Sequence, residues 1–135
     1  MPIAYLTRIV EFTATHRFPP GPDFGAAAKD HSHRYRVHVT VKGSFAPERS
    51  GVLGLKAFDA ILAREITTRF DGQHINENIP EFADGGRVAT GEGLAVYIWE
   101  RIAPTLPAGV RLHAVRVQES DHLYSEYFGE QEPER

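Results

Sequence analysis

Hydrophobic and polar residues alternate from Tyr5 to Phe18, "YLTRIVEFTATHRF". Val10, Phe12, Ala14, His16 and Phe18 fall on one face, with Ile9, Glu11, Thr13, Thr15 and Arg17 on the other. That period of two predicts a half-buried strand over 5–18. The stretch "PPGPDFGAAAKD" (19–30) is punctuated by proline and glycine and reads as a loop. A cleaner alternation runs over 33–43, "HRYRVHVTVKG", with Tyr35, Val37, Val39 and Val41 opposite Arg34, Arg36, His38 and Thr40. "SFAPERSG" (44–51) reads as a turn. From 53 to 70 the period lengthens. Leu55, Phe58, Leu62, Ile66 and Phe70 recur every three or four residues, which predicts an amphipathic helix. Beyond a loop over 71–89, Thr90 is placed to cap a second helix whose stripe is Leu94, Ile98 and Ile102; Pro104 and Pro107 end it. Alternation returns over 111–119, where Val115, Val117 and Glu119 share a face, and "HLYSEYF" (122–128) reads as a last strand. The charged tail "GEQEPER" (129–135) reads as frayed. The predicted order is β-β-α-α-β-β, an α+β fold.

Strand parity singles out three histidines. In "KDHSHRY" (29–35), His31 and His33 lie two apart and continue the face of Tyr35, Val37 and Val39. His16 falls independently on the Phe12 and Ala14 face of the first strand. Three imidazoles converging on apolar surface make a natural zinc cage. Three protein ligands leave a fourth position for water or substrate, the arrangement of a catalytic zinc. His38 and His113 read as strand histidines without an identifiable partner.

Composition narrows the picture. The 135 residues read as one domain over 1–135, long enough to bury a core. A net charge of -3 leaves no basic footprint, which excludes nucleic acid as the expected partner. No apolar run approaches membrane-spanning length and no signal peptide opens the chain, so no membrane association and a soluble cytoplasmic protein are expected. There is no cysteine. Disulfides are excluded, and so is a thiolate as metal ligand or nucleophile.

The segments "FTATHRF", "HSHRY", "FDGQHIN", "ATGEGLAVYIWERI" and "VQESDHLYSEY" follow the order and spacing of the 6-pyruvoyltetrahydropterin synthase / 6-carboxytetrahydropterin synthase family. That family's usual forms are F-S-A-x-H, H-G-H-N-Y, L-D-H-x-x-L-N, P-T-x-E-N and E-T-x-x-x-x-x-x-Y. The resemblance spans residues 5 to 128. It implies a T-fold (tunnelling fold), a four-stranded antiparallel sheet with two helices on one face, and a homo-oligomer, trimer or hexamer, built around a barrel. It implies Zn2+ held by His16, His31 and His33. It also implies that Glu119 anchors a pterin by accepting two parallel hydrogen bonds from its flat N–C–N edge, with Thr90 and Glu92 framing that pocket. The family chemistry is a lyase reaction. Zinc polarises the hydroxyls and developing carbonyl of the substrate side chain, and a cysteine with an Asp–His pair moves the protons.

This chain departs from the family at those proton-transfer positions. The cysteine position is Ala27, inside "GAAAKD", and the histidine of L-D-H is Gly72, although Asp71 is kept. The aspartate usual near the start of the first helix is absent around Gly54 and Leu55. Candidate replacements are Asp30, beside Lys29 in the cysteine's loop, His74, three residues after Asp71, and His122, just beyond Glu119. Asp71 either remains a base or braces its loop. Three functions therefore stand open: a zinc lyase acting on a pterin with relocated acid–base groups, a zinc enzyme using Lewis-acid chemistry on another small hydroxycarbonyl compound, or a pterin-binding module without turnover.

Overall fold

The computed structural model describes residues 2–45 and 51–130. The middle of the turn at 44–51 and the last five residues of the charged tail lie outside the described residues. The elements are β1 (Ile3–His16), β2 (His31–Ser44), α1 (Leu55–Leu62), a π turn (Ala63–Thr67) leading into α2 (Thr68–Phe70), α3 (Ile75–Asn78), α4 (Gly91–Ile102), β3 (Val110–Ser120) and β4 (Leu123–Tyr127). The strands form one antiparallel sheet in the order β1-β2-β3-β4. Phe12, Tyr35, Val37, Val39, Val115 and Val117 of the sheet are buried together with Phe58, Leu62, Ile66, Phe70, Leu94, Ile98 and Ile102 of the helices. Those are the residues the two periodicities select, so the helices cover one face of the sheet. On the other face Tyr5 and Ile9 remain 57% and 43% exposed.

Three departures from the sequence pattern have physical causes. First, β2 starts at His31 rather than His33, because pairing with β1 runs unbroken from Ile3↔Ser44 to His16↔His31. The two histidines lie inside a strand and are held by its ladder. Second, Thr40 pairs with Ala114 while Val41 pairs with Leu112, leaving His113 as the extra residue of a bulge. The bulge turns Val110 and Leu112 inward, where strict alternation over 111–119 would place Arg111 and His113. Third, the helix over 53–70 begins at Leu55 and is interrupted by the π turn. There Glu65 is 6% exposed, and its carboxylate is paired with Arg64 at 2.9 Å and Arg101 at 2.9 Å. A buried charge requires that pairing.

The loop over 71–89 is more ordered than its composition suggests, and contains α3 and a 3-10 turn at Pro80–Phe82. Its first residues lie along the outer edge of β1. The Gly72 N–H donates to the Thr13 carbonyl at 2.8 Å, and the Thr15 N–H donates to the Gln73 carbonyl at 2.9 Å. Gly72 adopts a φ of 73°, the left-handed region that favours glycine. This edge pairing brings His74 beside the end of β1 that carries His16. Among the described residues, no helix is long and apolar enough to cross a membrane.

Candidate metal centre and substrate pocket

The β1–β2 register builds the histidine cluster. His31 stands directly opposite His16, and His33 stands opposite Ala14, on the diagonal from His16. Ala14 is small and leaves the His33 ring room to turn toward the others. Ring centroids lie 4.4 Å apart for His16 and His31, 5.0 Å for His16 and His33, and 5.1 Å for His31 and His33. One ring nitrogen from each falls within 4.8 Å of the others.

Backbone carbonyls set how two of the rings face. His16 Nδ1 lies 2.8 Å from the Ala89 carbonyl oxygen, and His31 Nδ1 lies 2.8 Å from that of Lys29. A carbonyl only accepts, so each Nδ1 carries the proton and each Nε2 keeps a lone pair. The Tyr35 hydroxyl sits 3.1 Å from His16 Nδ1, and the Phe18 ring packs edge-on against His16. His16 is fully buried, yet its Nε2 has no hydrogen-bond partner among the described residues. A buried lone pair of this kind is costly unless something fills it. Burial, helped by the neighbouring imidazoles, lowers the His16 pKa to about 4, against the opposing Ala89 carbonyl. Burial and His31 lower that of His33. His16 is therefore held neutral near pH 7, as a metal ligand must be, and the three ring nitrogens within 4.8 Å of one another fit a zinc ion.

Glu119 adjoins this cluster. Pairing between β2 and β3 ends at Arg36↔Gln118, so the strands part beyond it. His33 and Glu119 line a cleft of about 520 Å³ at the opening. His33 Nε2 and a Glu119 carboxylate oxygen are 4.0 Å apart, and the Glu119 side chain is 9% exposed. Burial raises the Glu119 pKa, opposed by a hydrogen bond from the Gly91 N–H and by His31. Gly91 opens α4 against the carboxylate. A Cβ there would stand 2.8 Å from Glu119 Oε1 and 2.7 Å from Ser125 Oγ, so the position admits only glycine without rearrangement.

The other residues singled out from the sequence divide into two groups. Asp30 and His74 come together: Asp30 Oδ1 lies 3.1 Å from His74 Nε2 and 3.1 Å from Arg17 Nη1. His74 and Arg17 hold the Asp30 pKa below its ordinary value. His74 Nδ1 is buried without a partner among the described residues. Thr90 caps α4, its hydroxyl accepting from the Gly93 N–H at 3.1 Å, and Glu92 is exposed in the first turn. Asp71 accepts from the Thr13 N–H at 3.1 Å, which ties its carboxylate to the β1 edge. His122 is exposed in the β3–β4 turn, its N–H bonded to Ser120 Oγ at 3.2 Å. His38 has a buried Nε2 without a partner among the described residues, and His113 packs edge-on against Tyr5. Tyr35, Arg17, Phe18 and Gly91 belong to the site but were not singled out. For Tyr35 the signal was present, since it shares strand parity with His31 and His33; Phe18 lies two residues past the end of β1, outside the strand predicted to contain it.

A family model described as 6-pyruvoyl tetrahydropterin synthase matches residues 5–130. The 6-pyruvoyl tetrahydrobiopterin synthase of Homo sapiens is 34% identical over 137 residues, covering 94% of this chain and 92% of that protein. That of Poecilia reticulata is 33% identical over 138 residues, covering 95% and 92%. Among solved structures, 6-pyruvoyl tetrahydropterin synthase of Caenorhabditis elegans superposes with a TM-score of 0.86 at 22% identity, covering 96% of this chain and 98% of that one. The enzyme of Plasmodium vivax gives a TM-score of 0.68 at 15% identity, covering 94% and 98%. These two likenesses show that the architecture is the T-fold.

Proposed function

The chain belongs to the 6-pyruvoyl tetrahydropterin synthase family, and on that premise we propose that it is a zinc-dependent lyase acting on a pterin with a hydroxylated side chain. The observation that carries this reading is a cluster of three imidazoles adjoining a shielded carboxylate, with His33 and Glu119 lining one cleft only 4.0 Å apart. Zinc held by His16, His31 and His33 supplies Lewis-acid polarisation of a hydroxyl or carbonyl oxygen on the side chain. Glu119 accepts two hydrogen bonds from the pterin's N–C–N edge, and its burial strengthens both. Thr90 serves this pocket by fixing the start of α4, from which Gly91 meets Glu119; Glu92 stands at its rim.

Proton movement falls to the Asp30–His74 pair. Asp30 immediately precedes His31, and its carboxylate orients the His74 imidazole at 3.1 Å. Asp71 is engaged with the Thr13 N–H and acts as a brace, while His122 is exposed on the turn beside Asp121, which lines the cleft. The test is binding and turnover of 7,8-dihydroneopterin triphosphate by the zinc-loaded protein. His74→Ala is expected to keep binding and lose on the order of 10²–10⁴-fold in turnover. An unchanged rate removes His74 from the mechanism. A second reading is favoured by Ala27 and Gly72, which cannot move protons: Lewis-acid chemistry on a non-pterin hydroxycarbonyl compound. It takes over if the zinc-loaded protein neither binds nor turns over the pterin. Binding without turnover identifies a pterin-binding module.

Edge strands β1 and β4 expose Ile3, Tyr5, Leu123 and Tyr124, and Phe128 just beyond β4 is exposed too. Sheet edges flanked by exposed apolar side chains, at the Ile3–Tyr5 end of β1 and along β4, support assembly with further copies of the chain, and a trimer or hexamer is the expected form. Light scattering that returns the 15.1 kDa mass of one chain counts against it.

A further inference from the structure

We propose that Arg17 is a positioning residue for the histidine cage: its guanidinium clamps together the two loops whose backbone carbonyls aim His16 and His31. The inference rests on the reading that the cage holds zinc. His16 is oriented by the carbonyl of Ala89 and His31 by that of Lys29. Neither carbonyl belongs to the sheet, so each is only as well placed as the loop that carries it.

Arg17 holds both loops. Its Nη1 bonds Asp30 Oδ1 at 3.1 Å, one residue beyond Lys29. Its Nε and Nη2 bond the two oxygens of Asp84 at 3.2 and 2.9 Å, five residues before Ala89. A weaker contact reaches Glu77 Oε1 at 3.4 Å. The Arg17 N–H also donates to Asn76 Oδ1 at 2.8 Å, and the Asn76 amide nitrogen donates to the Phe82 carbonyl in the approach to the same loop.

The charge pattern makes this clamp more than a surface ion pair. Three carboxylates, Asp30, Glu77 and Asp84, face a single guanidinium. The Arg17 side chain is 25% exposed, whereas those of its partners are 53%, 57% and 70% exposed. The cation is thus the shielded centre of a network, where geometry counts for more than in an isolated exposed pair. Without it, three like charges stand together and push the loops of Lys29 and Ala89 apart. Arg17 also directly follows His16 in the chain, so the clamp and the cage share one strand end.

Groups that orient metal-bound histidines are typically worth 10–100-fold in metal affinity. The experiment titrates zinc into the purified full chain against a chromophoric chelator and records the cobalt(II) d–d spectrum of the same variants. Arg17→Met, which keeps the aliphatic stem, is expected to weaken zinc binding about 10–100-fold and to shift the cobalt bands while the metal-free circular dichroism stays as in the parent. Asp84→Ala is expected to do the same to a smaller degree. Arg87→Met removes an arginine of the same loop that pairs outward with Glu100 at 2.6 Å, and should leave zinc affinity unchanged. A folded Arg17→Met protein with parental zinc affinity and cobalt spectrum overturns the proposal. If that variant does not fold, parental affinity in Asp84→Ala overturns it instead. A parent protein that binds no zinc removes the cage reading itself, and this one with it.

Discussion

His31→Ala should strip the protein of tightly bound zinc and of all turnover that depends on it. Zinc sites bound through four protein ligands yield roughly 10–16 kcal/mol, or about 3 kcal/mol per ligand, and each 1.4 kcal/mol is tenfold in affinity. Removing one of only three imidazoles therefore costs on the order of a hundredfold or more. His31 is the informative position because it is partly exposed and its loss leaves the core intact. His16 is fully buried, and its Nδ1 is bonded to the Ala89 carbonyl beneath α4. His16→Ala should therefore lose stability as well as metal. Metal content after dialysis, with calorimetric titration of zinc, decides the matter. One tightly held zinc per chain in His31→Ala would show that the ligand set lies elsewhere.

Glu119→Gln carries the second large effect, on the substrate rather than the metal. Glutamine keeps the shape but loses the charge and one of the two acceptors. Hydrogen bonds to a charged group are worth about 1.5–3 kcal/mol each, so pterin affinity should fall roughly tenfold to a few hundredfold. Gly91→Ala should act in the same direction without touching the carboxylate's chemistry, since its Cβ would crowd Glu119 Oε1 from 2.8 Å and push it out of place. Both variants should bind zinc as the parent does. That separation distinguishes a damaged anchor from a collapsed site. Fluorescence titration with the pterin is the measurement, and unchanged affinity in Glu119→Gln would remove the anchor role.

The cage was legible because strand parity is a hard geometric rule: His31 and His33 had to share the Tyr35 face, and His16 the Phe12 face. The covered face of the sheet and both helix stripes followed from the same kind of periodicity. Apart from Tyr35, what escaped has no periodic signal. The partners that orient His16 and His31 are main-chain carbonyls, which any residue supplies, so nothing at Ala89 or Lys29 marks them. The β3 bulge depends on one unpaired residue, His113, and shifts only half of a strand. Arg17 looked like an outward strand position by parity, yet it lies one residue past the end of β1, where alternation no longer applies. Asp71, as a retained base or a loop brace, and His74, as a replacement proton-transfer group, lie three residues apart and were both candidates. The fold separates them, giving Asp71 a main-chain partner and His74 a carboxylate.

The imidazole-only cage bears on how this protein meets oxidative stress. Thiolate zinc sites release their metal when peroxide or an alkylating reagent converts the sulfur. This chain holds no cysteine, and its single sulfur atom is that of Met1. A zinc held as proposed by these imidazoles would offer thiol-directed oxidants no sulfur ligand to attack, and would be released instead by acid, a competing chelator or another metal.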